Sequence, residues 1–277
     1  MEKNYHFIKQ RLENLKTIKP MLMSLRTISL SGWRLTLKKL ENLKDYQREI
    51  AAVGAQIGTL PHDRTAGSQA ESCLLVLGST RGLCGGFNRD LFAFFEDQST
   101  EFAHTAEIVL FGEKMAKLFR SHHMAFSQWQ GYPRINHLDF RFISDLIAQH
   151  AFANKTCHIL YNSYHGSGRY EPALRTIRWE HTNPAKALPA QYNLIIDTDP
   201  ALLSDYLLRQ NNLMEIYQIF LSSLASEHSF RFQLMENAIS NTDNLIQELG
   251  LMVQVERQKK ITSEMRELSI SAGLLDR

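Results

Sequence analysis

The chain has 277 residues, 44% hydrophobic and 22% charged, with a formal net charge of +2 at neutral pH. That composition is too apolar for disorder, and the near-neutral total gives no general attraction to nucleic acid or an anionic membrane. Cys73, Cys84 and Cys157 are widely spaced and lack paired ligand spacing, so neither a disulfide framework nor a zinc site is suggested and reduced thiols are expected.

No apolar run approaches the roughly 20 residues that span a bilayer, and Glu2 with its polar neighbours stands where a signal peptide would carry an apolar core. A soluble protein that can dock on a membrane complex is expected. Six of the seven prolines and ten of the fourteen glycines fall between residues 58 and 200, which leaves two flanks almost free of helix breakers. Three segments follow: an N-terminal helix over 1–58, an α/β domain over 70–198 and a C-terminal helix over 200–277.

In the first segment Ile8, Leu15, Leu22, Leu43 and Ile50 recur at multiples of seven, with Ile18 and Leu25 beside them. Pro20 and Gly32 interrupt this pattern. Proline inside a helix costs about 3 kcal/mol if unrelieved, so a kink or local break is expected near Pro20.

The middle alternates short strands and helices. A buried-type strand over 73–78 leads to a helix after Phe87, a strand over 107–112 and a helix from Glu113. Helical spacing returns from His137 to Ala151, followed by strand-like stretches at His158–Tyr164, Ala173–Trp179 and Tyr192–Ile196. Strand, helix, strand implies a mostly parallel, Rossmann-like sheet with right-handed crossovers. Ala66–Gln69 and Asn183–Pro189 read as joints.

From Ala201 to Ala272 there is no proline and only Gly250, so one helix of about 72 residues would reach about 110 Å. Met214, Leu221, Met235 and Leu249 form one row, and Tyr217, Leu224, Ala238, Leu245 and Met252 the next. His228, Arg231 and Thr242 interrupt those rows, where a polar residue can fix register. Residues 1–50 carry 11 basic against 5 acidic residues and residues 201–277 carry 7 against 10. Two apolar stripes of opposite charge, leaving and returning to one compact middle, imply an antiparallel coiled coil held by its shared seam. The fold class is therefore α/β, with a long antiparallel coiled coil of the terminal helices.

The sharpest local motif is Gly78-Ser79-Thr80-Arg81-Gly82-Leu83-Cys84-Gly85-Gly86-Phe87-Asn88, between the first strand and a helix. Such a loop can hold phosphate, but its spacing matches neither the dinucleotide fingerprint nor the P-loop. A structural turn or protein-contact loop is favoured, and no cofactor is expected. His122, His123, His150, His158 and His165 lack metal-ligand spacing and read as ordinary histidines. The basic run Arg257, Lys259, Lys260 reads as a solvated helix face, not a nucleic-acid site.

The run Arg-Gly-Leu-Cys-Gly-Gly-Phe-Asn resembles the loop of F-type ATP synthase gamma subunits. The final helix is similar to that family at Ser226, Glu227, Arg231, Met235, Thr242, Asp243, Asn244, Glu248, Leu249, Arg257, Gln258, Ile261, Thr262 and Glu264. Arg11, Leu12, Ser31 and Arg34 resemble its first helix. Thr80 stands where the family usually has Asp, Pro20 and Gly32 where it has Lys, and Leu274, Leu275, Asp276 and Arg277 where small apolar residues are usual, which marks a divergent member.

The resemblance implies a non-catalytic rotor shaft coupling ion-driven rotation of a membrane c-ring to ATP synthesis or hydrolysis. Arg34, Arg231, Arg257, Gln258, Thr262 and Glu264 would contact the alpha and beta subunits. Leu268, Ile270, Leu274 and Leu275 would form an apolar tip. Arg81, Gly82, Leu83, Cys84, Gly85, Gly86 and Asn88 would face the membrane ring and the epsilon subunit. Without a paired-cysteine insertion or a transit-like leader, a peripheral protein on the cytoplasmic face of a bacterial membrane is expected. A nucleotide-binding α/β enzyme and a stand-alone coiled-coil scaffold are the alternatives.

Overall fold

Scarcity of helix breakers at the two ends of the chain translates directly into two very long helices in the computed structural model. It describes residues 2–57, 71–98, 102, 107–150, 152, 155–179 and 197–271. α1 runs from Glu2 to Ile57, 56 residues, and the last helix from Pro200 to Ser271, 72 residues. α1 passes through Pro20 without interruption, so the expected break does not form there. Pro20 is exposed and its carbonyl accepts a hydrogen bond from Ser24 Oγ at 3.0 Å.

Between them come β1 (Ser72–Leu77), α2 (Phe87–Asp97), β2 (Glu107–Phe111), α3 (Glu113–Ser121), β3 (Gln128–Gln130), a 3₁₀ turn at Ile135–His137, α4 (Phe140–Gln149), β4 (Thr156–Tyr164) and β5 (Tyr170–Ile177); the final helix is α5. The short β3 was not legible in its polar sequence. Tyr192–Ile196, Ala66–Gln69, Asn183–Pro189 and the extreme C-terminal residues lie outside the described residues.

The chain divides into two compact units, residues 29–231 and residues 1–28 with 232–277. In the first, a five-stranded sheet has the order β3-β2-β1-β4-β5. Its first three pairings are parallel and β4 with β5 is antiparallel. Gly166 and Gly168, both at positive φ, turn the β4–β5 hairpin. Pro172 lies within edge strand β5, where a missing donor discourages further strand pairing.

Alternation along β1 builds two cores, as the pleat requires. Cys73, Leu75 and Leu77 face a cluster with Leu43 of α1, Ile143 and Leu146 of α4, and Met214, Tyr217, Phe220, Leu221 and Leu224 of α5. Leu74 and Val76 face the opposite cluster, with Phe92 and Phe95 of α2 and Met115 and Phe119 of α3. α4 starts at Asp139, whose carboxylate accepts from Phe142 N at 2.9 Å, an N-cap of the usual kind.

In the second unit α1 and α5 run antiparallel in register. Lys19 pairs with Asp243 at 2.5 Å and Arg26 with Glu236 at 3.1 Å. α1 advances seven residues while α5 goes back seven, the repeat of a coiled-coil seam. Leu12, Met235, Ile239 and Leu249 are buried there, and Thr242 occupies a buried position of the same row with its hydroxyl bonded to Ala238 O. The second row is less complete than its spacing implied. Ile18, Leu245 and Met252 are exposed, because a two-helix pair covers only one narrow stripe of each partner.

Candidate functional site: the glycine loop and the exposed end of α5

The loop between β1 and α2 is a knot tied by its own side chains. Ser79 N donates to Asn88 Oδ1 at 2.8 Å, and Asn88 Nδ2 donates back to Ser79 Oγ at 2.7 Å. Ser79 Oγ donates to Arg81 O at 3.0 Å and lies 3.3 Å from Cys84 Sγ. The glycines serve close packing: a β-carbon at Gly78 would collide with Met115. One at Gly112, where φ is +94°, would lie 2.5 Å from the backbone of Ser79. With Ser79 N already bonded inside the chain, the loop does not offer that amide to a phosphate, which disfavours the nucleotide reading.

Leu83 has a left-handed backbone, φ +60°, without being glycine, and its side chain is 60% exposed. A strained residue that presents an apolar side chain to solvent is the kind of position kept for contact. Arg81 and Gly85 are exposed as well, whereas Cys84 is buried. Burial raises the Cys84 thiol pKa above its usual value, which makes it a poor nucleophile.

Against this loop lies one turn of α5. Arg231 is buried, with Nε 3.4 Å from Gly82 O and Nη2 3.3 Å from Arg81 O, and it forms a buried ion pair with Glu227. Burial raises the Glu227 carboxyl pKa by more than Arg231 lowers it. His228, the next residue, packs on Gly32 of α1. Burial, then Arg231 and Arg81, push its pKa down to about 4.

The residues assigned to two contact groups in the sequence are thus redistributed. Arg231 belongs with the loop and not with the outward-facing residues of α5. Asn88 and Cys84 spend their polar atoms inside the loop. Glu227 carries the arrangement without having been among the candidate site residues; its place one turn before Arg231 is the signal that could have found it.

Arg34 is exposed on α1. Arg257, Gln258, Thr262 and Glu264 are all exposed near the end of α5, Thr262 Oγ1 donating to Gln258 O at 2.9 Å. Leu268 and Ile270 beyond them are 67% and 60% exposed. The histidines are engaged elsewhere: His150 is buried, 2.8 Å from Glu107 Oε1, and His158 lies 3.0 Å from Thr176 Oγ1. Among the described residues no group of His, Cys, Asp or Glu could hold a metal ion, and no helix is long and apolar enough to cross a membrane.

A family model described as ATP synthase matches residues 4–273. An ATP synthase gamma chain of Buchnera aphidicola subsp. Acyrthosiphon pisum (strain Tuc7) is 23% identical over 280 residues, covering 96% of each chain. One from Geotalea uraniireducens (strain Rf4) is 22% identical over 277 residues, covering 94% of this chain and 95% of the relative.

Two solved structures of the Euglena gracilis mitochondrial ATP synthase share the fold. A chain of its rotor in rotational state 1 aligns with a TM-score of 0.66 at 14% identity, covering 94% of this chain and 100% of that one. A chain of its OSCP/F1/c-ring assembly in rotational state 3 aligns at 0.71 and 15% identity, covering 99% and 95%. With a family match that spans the glycine loop and both long helices, at identities of 22–23% to curated relatives, the chain belongs to the ATP synthase gamma-chain family as a divergent member.

Proposed function

We propose that the chain is the central rotor shaft of an F-type ATP synthase, coupling rotation of an ion-driven membrane ring to ATP synthesis or hydrolysis at the catalytic beta subunits. The observation that carries this reading is the antiparallel pairing of α1 with α5, helices of 56 and 72 residues, in a chain that a family model matches over residues 4–273. At 1.5 Å per residue the longer helix spans about 108 Å, far more than a domain of this size needs for its own core.

Three chemically identical catalytic sites differ only if something asymmetric touches them differently, and a shaft with charged and apolar faces supplies that differential interaction. The chain itself contributes no reacting group. Its partners are the alpha and beta subunits, an epsilon subunit and the membrane c-ring, and its place is peripheral, on the cytoplasmic face of a bacterial membrane.

Arg34, Arg257, Gln258, Thr262 and Glu264 are the contacts to the alpha and beta subunits, with Leu268 and Ile270 as apolar bearing surface. The exposed part of the loop, Arg81, Leu83 and Gly85, meets the ring or the epsilon subunit. Purification of the tagged chain from its host tests the reading: alpha and beta should accompany it in a ratio of one to three to three. Recovery of the chain alone, or saturable micromolar binding of ATP or NAD by the isolated chain, would overturn it.

A further inference from the structure

The glycine loop has few means of holding itself to the helix it lies on. Leu83 and Gly85 both take left-handed backbones, so the loop forms no regular ladder with a neighbour. Arg231 of α5 reaches it, donating to the carbonyls of Gly82 and Arg81. Elsewhere α5 meets the sheet at residues outside the loop, through apolar packing, hydroxyl bonds such as Ser226 Oγ to Asn162 O at 2.9 Å, and the more exposed ion pair of Glu215 with Arg175 of β5. Apolar packing is non-directional, whereas a guanidinium fork held by a carboxylate has a fixed geometry.

The guanidinium stays in that position only while its charge is matched. Arg231 and Glu227 are both 8% exposed in their side chains, and a buried cation without its counter-ion is drawn toward water. Arg81 also acts on Glu227, and both arginines act on His228, so removing the carboxylate would leave like charges facing one another.

We propose that Glu227 is a positioning residue: by holding the Arg231 guanidinium it locks the glycine loop to the turn of α5 it lies on, so that the exposed residues of the loop are presented to the membrane ring or the epsilon subunit in one fixed position. The proposal rests on the rotor reading, because only a chain that transmits torque needs this connection to be stiff.

Cys84 reports on the lock. It is 3% exposed, inside the loop, while Cys73 and Cys157 are wholly buried in the sheet. The experiment uses the assembled complex carrying Glu227→Gln, which keeps the side-chain shape and removes the charge. Two quantities are read: the rate of maleimide labelling at Cys84, located by peptide mapping, and the ions moved per ATP hydrolysed.

Cys84 labelling should rise about tenfold, the change expected when a local opening becomes tenfold more populated, and ion movement per ATP should fall while hydrolysis continues. Arg231→Lys should give the same pair of changes, and the double variant should add nothing to either single one. Unchanged labelling in Glu227→Gln overturns the lock, and so do effects of the two substitutions that simply add. Raised labelling with unchanged ion movement overturns its role in transmission. If the wild-type chain does not assemble with alpha and beta, the rotor reading fails instead, and Cys84 labelling of the isolated chain still decides whether Glu227 holds the loop.

Discussion

A β-carbon at Gly32 would lie 2.7 Å from the imidazole of His228, so the side-chain-free face of α1 is what lets that ring enter. Gly32→Ala should therefore destabilise the folded chain by about 1–3 kcal/mol, the usual cost of overpacking, measured by urea unfolding. His228 itself makes stability depend on pH. The unfolded chain protonates this group near 6.5, but the folded one holds the proton off until about 4. Between those values the unfolded state binds more protons, so stability falls as pH drops, by up to about 1.4 kcal/mol per pH unit, and this group has no effect above that window. His228→Gln should remove that slope from unfolding curves taken at pH 7, 6 and 5. In the sequence His228 was visible as a break in an apolar row and Gly32 as a helix breaker. That each explains the other was not visible, because a glycine lets any neighbour approach and does not name it.

Helices and strands were more readable than contacts. The repeat of Met214, Leu221, Met235 and Leu249 marks a row that is buried along its length, since burial on a helix follows the 3.6-residue turn that the sequence displays. Pro20 does not break α1, because a single exposed proline removes one backbone donor and the seam on either side keeps the helix continuous. β3 was missed for the opposite reason: Gln128 and Gln130 bond to His150, so this edge strand is held by polar side chains and not by an apolar pattern. At the far end of α5, Arg257 is exposed and distant from any core. Arg257→Ala should leave stability within about 0.5 kcal/mol of the parent and yet lower coupled ATP turnover of the assembled complex. Full turnover would remove Arg257 from the contact set.

At the scale of the whole molecule, the two cores differ in where their helices come from. α2 and α3, which cover one face of the sheet, are its own crossovers and lie between its strands in sequence. The other face is covered by α4 together with parts of α1 and α5, which means that residues at both ends of the chain complete it. Phe220 of α5 is wholly buried there, its ring 4.9 Å from that of Phe111 of β2. A fragment limited to residues 70–198 keeps every strand among the described residues and loses Met214, Tyr217, Phe220 and Leu221. It should be insoluble or bind a hydrophobic dye, and a soluble, cooperatively melting fragment would contradict this account of the core.

The order of synthesis then acquires a physical meaning. While the chain is emerging from a ribosome, the strands are available early, but one of the helices that shield one side of them comes last. Until about residue 224 has cleared the exit tunnel, that side of the sheet has only α1 and α4 to cover it and stays partly open to chaperones or to the wrong neighbour. Placing part of that cover at the end of the message delays completion of the inner domain until most of the shaft has been made, so a product truncated before α5 keeps an apolar face incompletely covered.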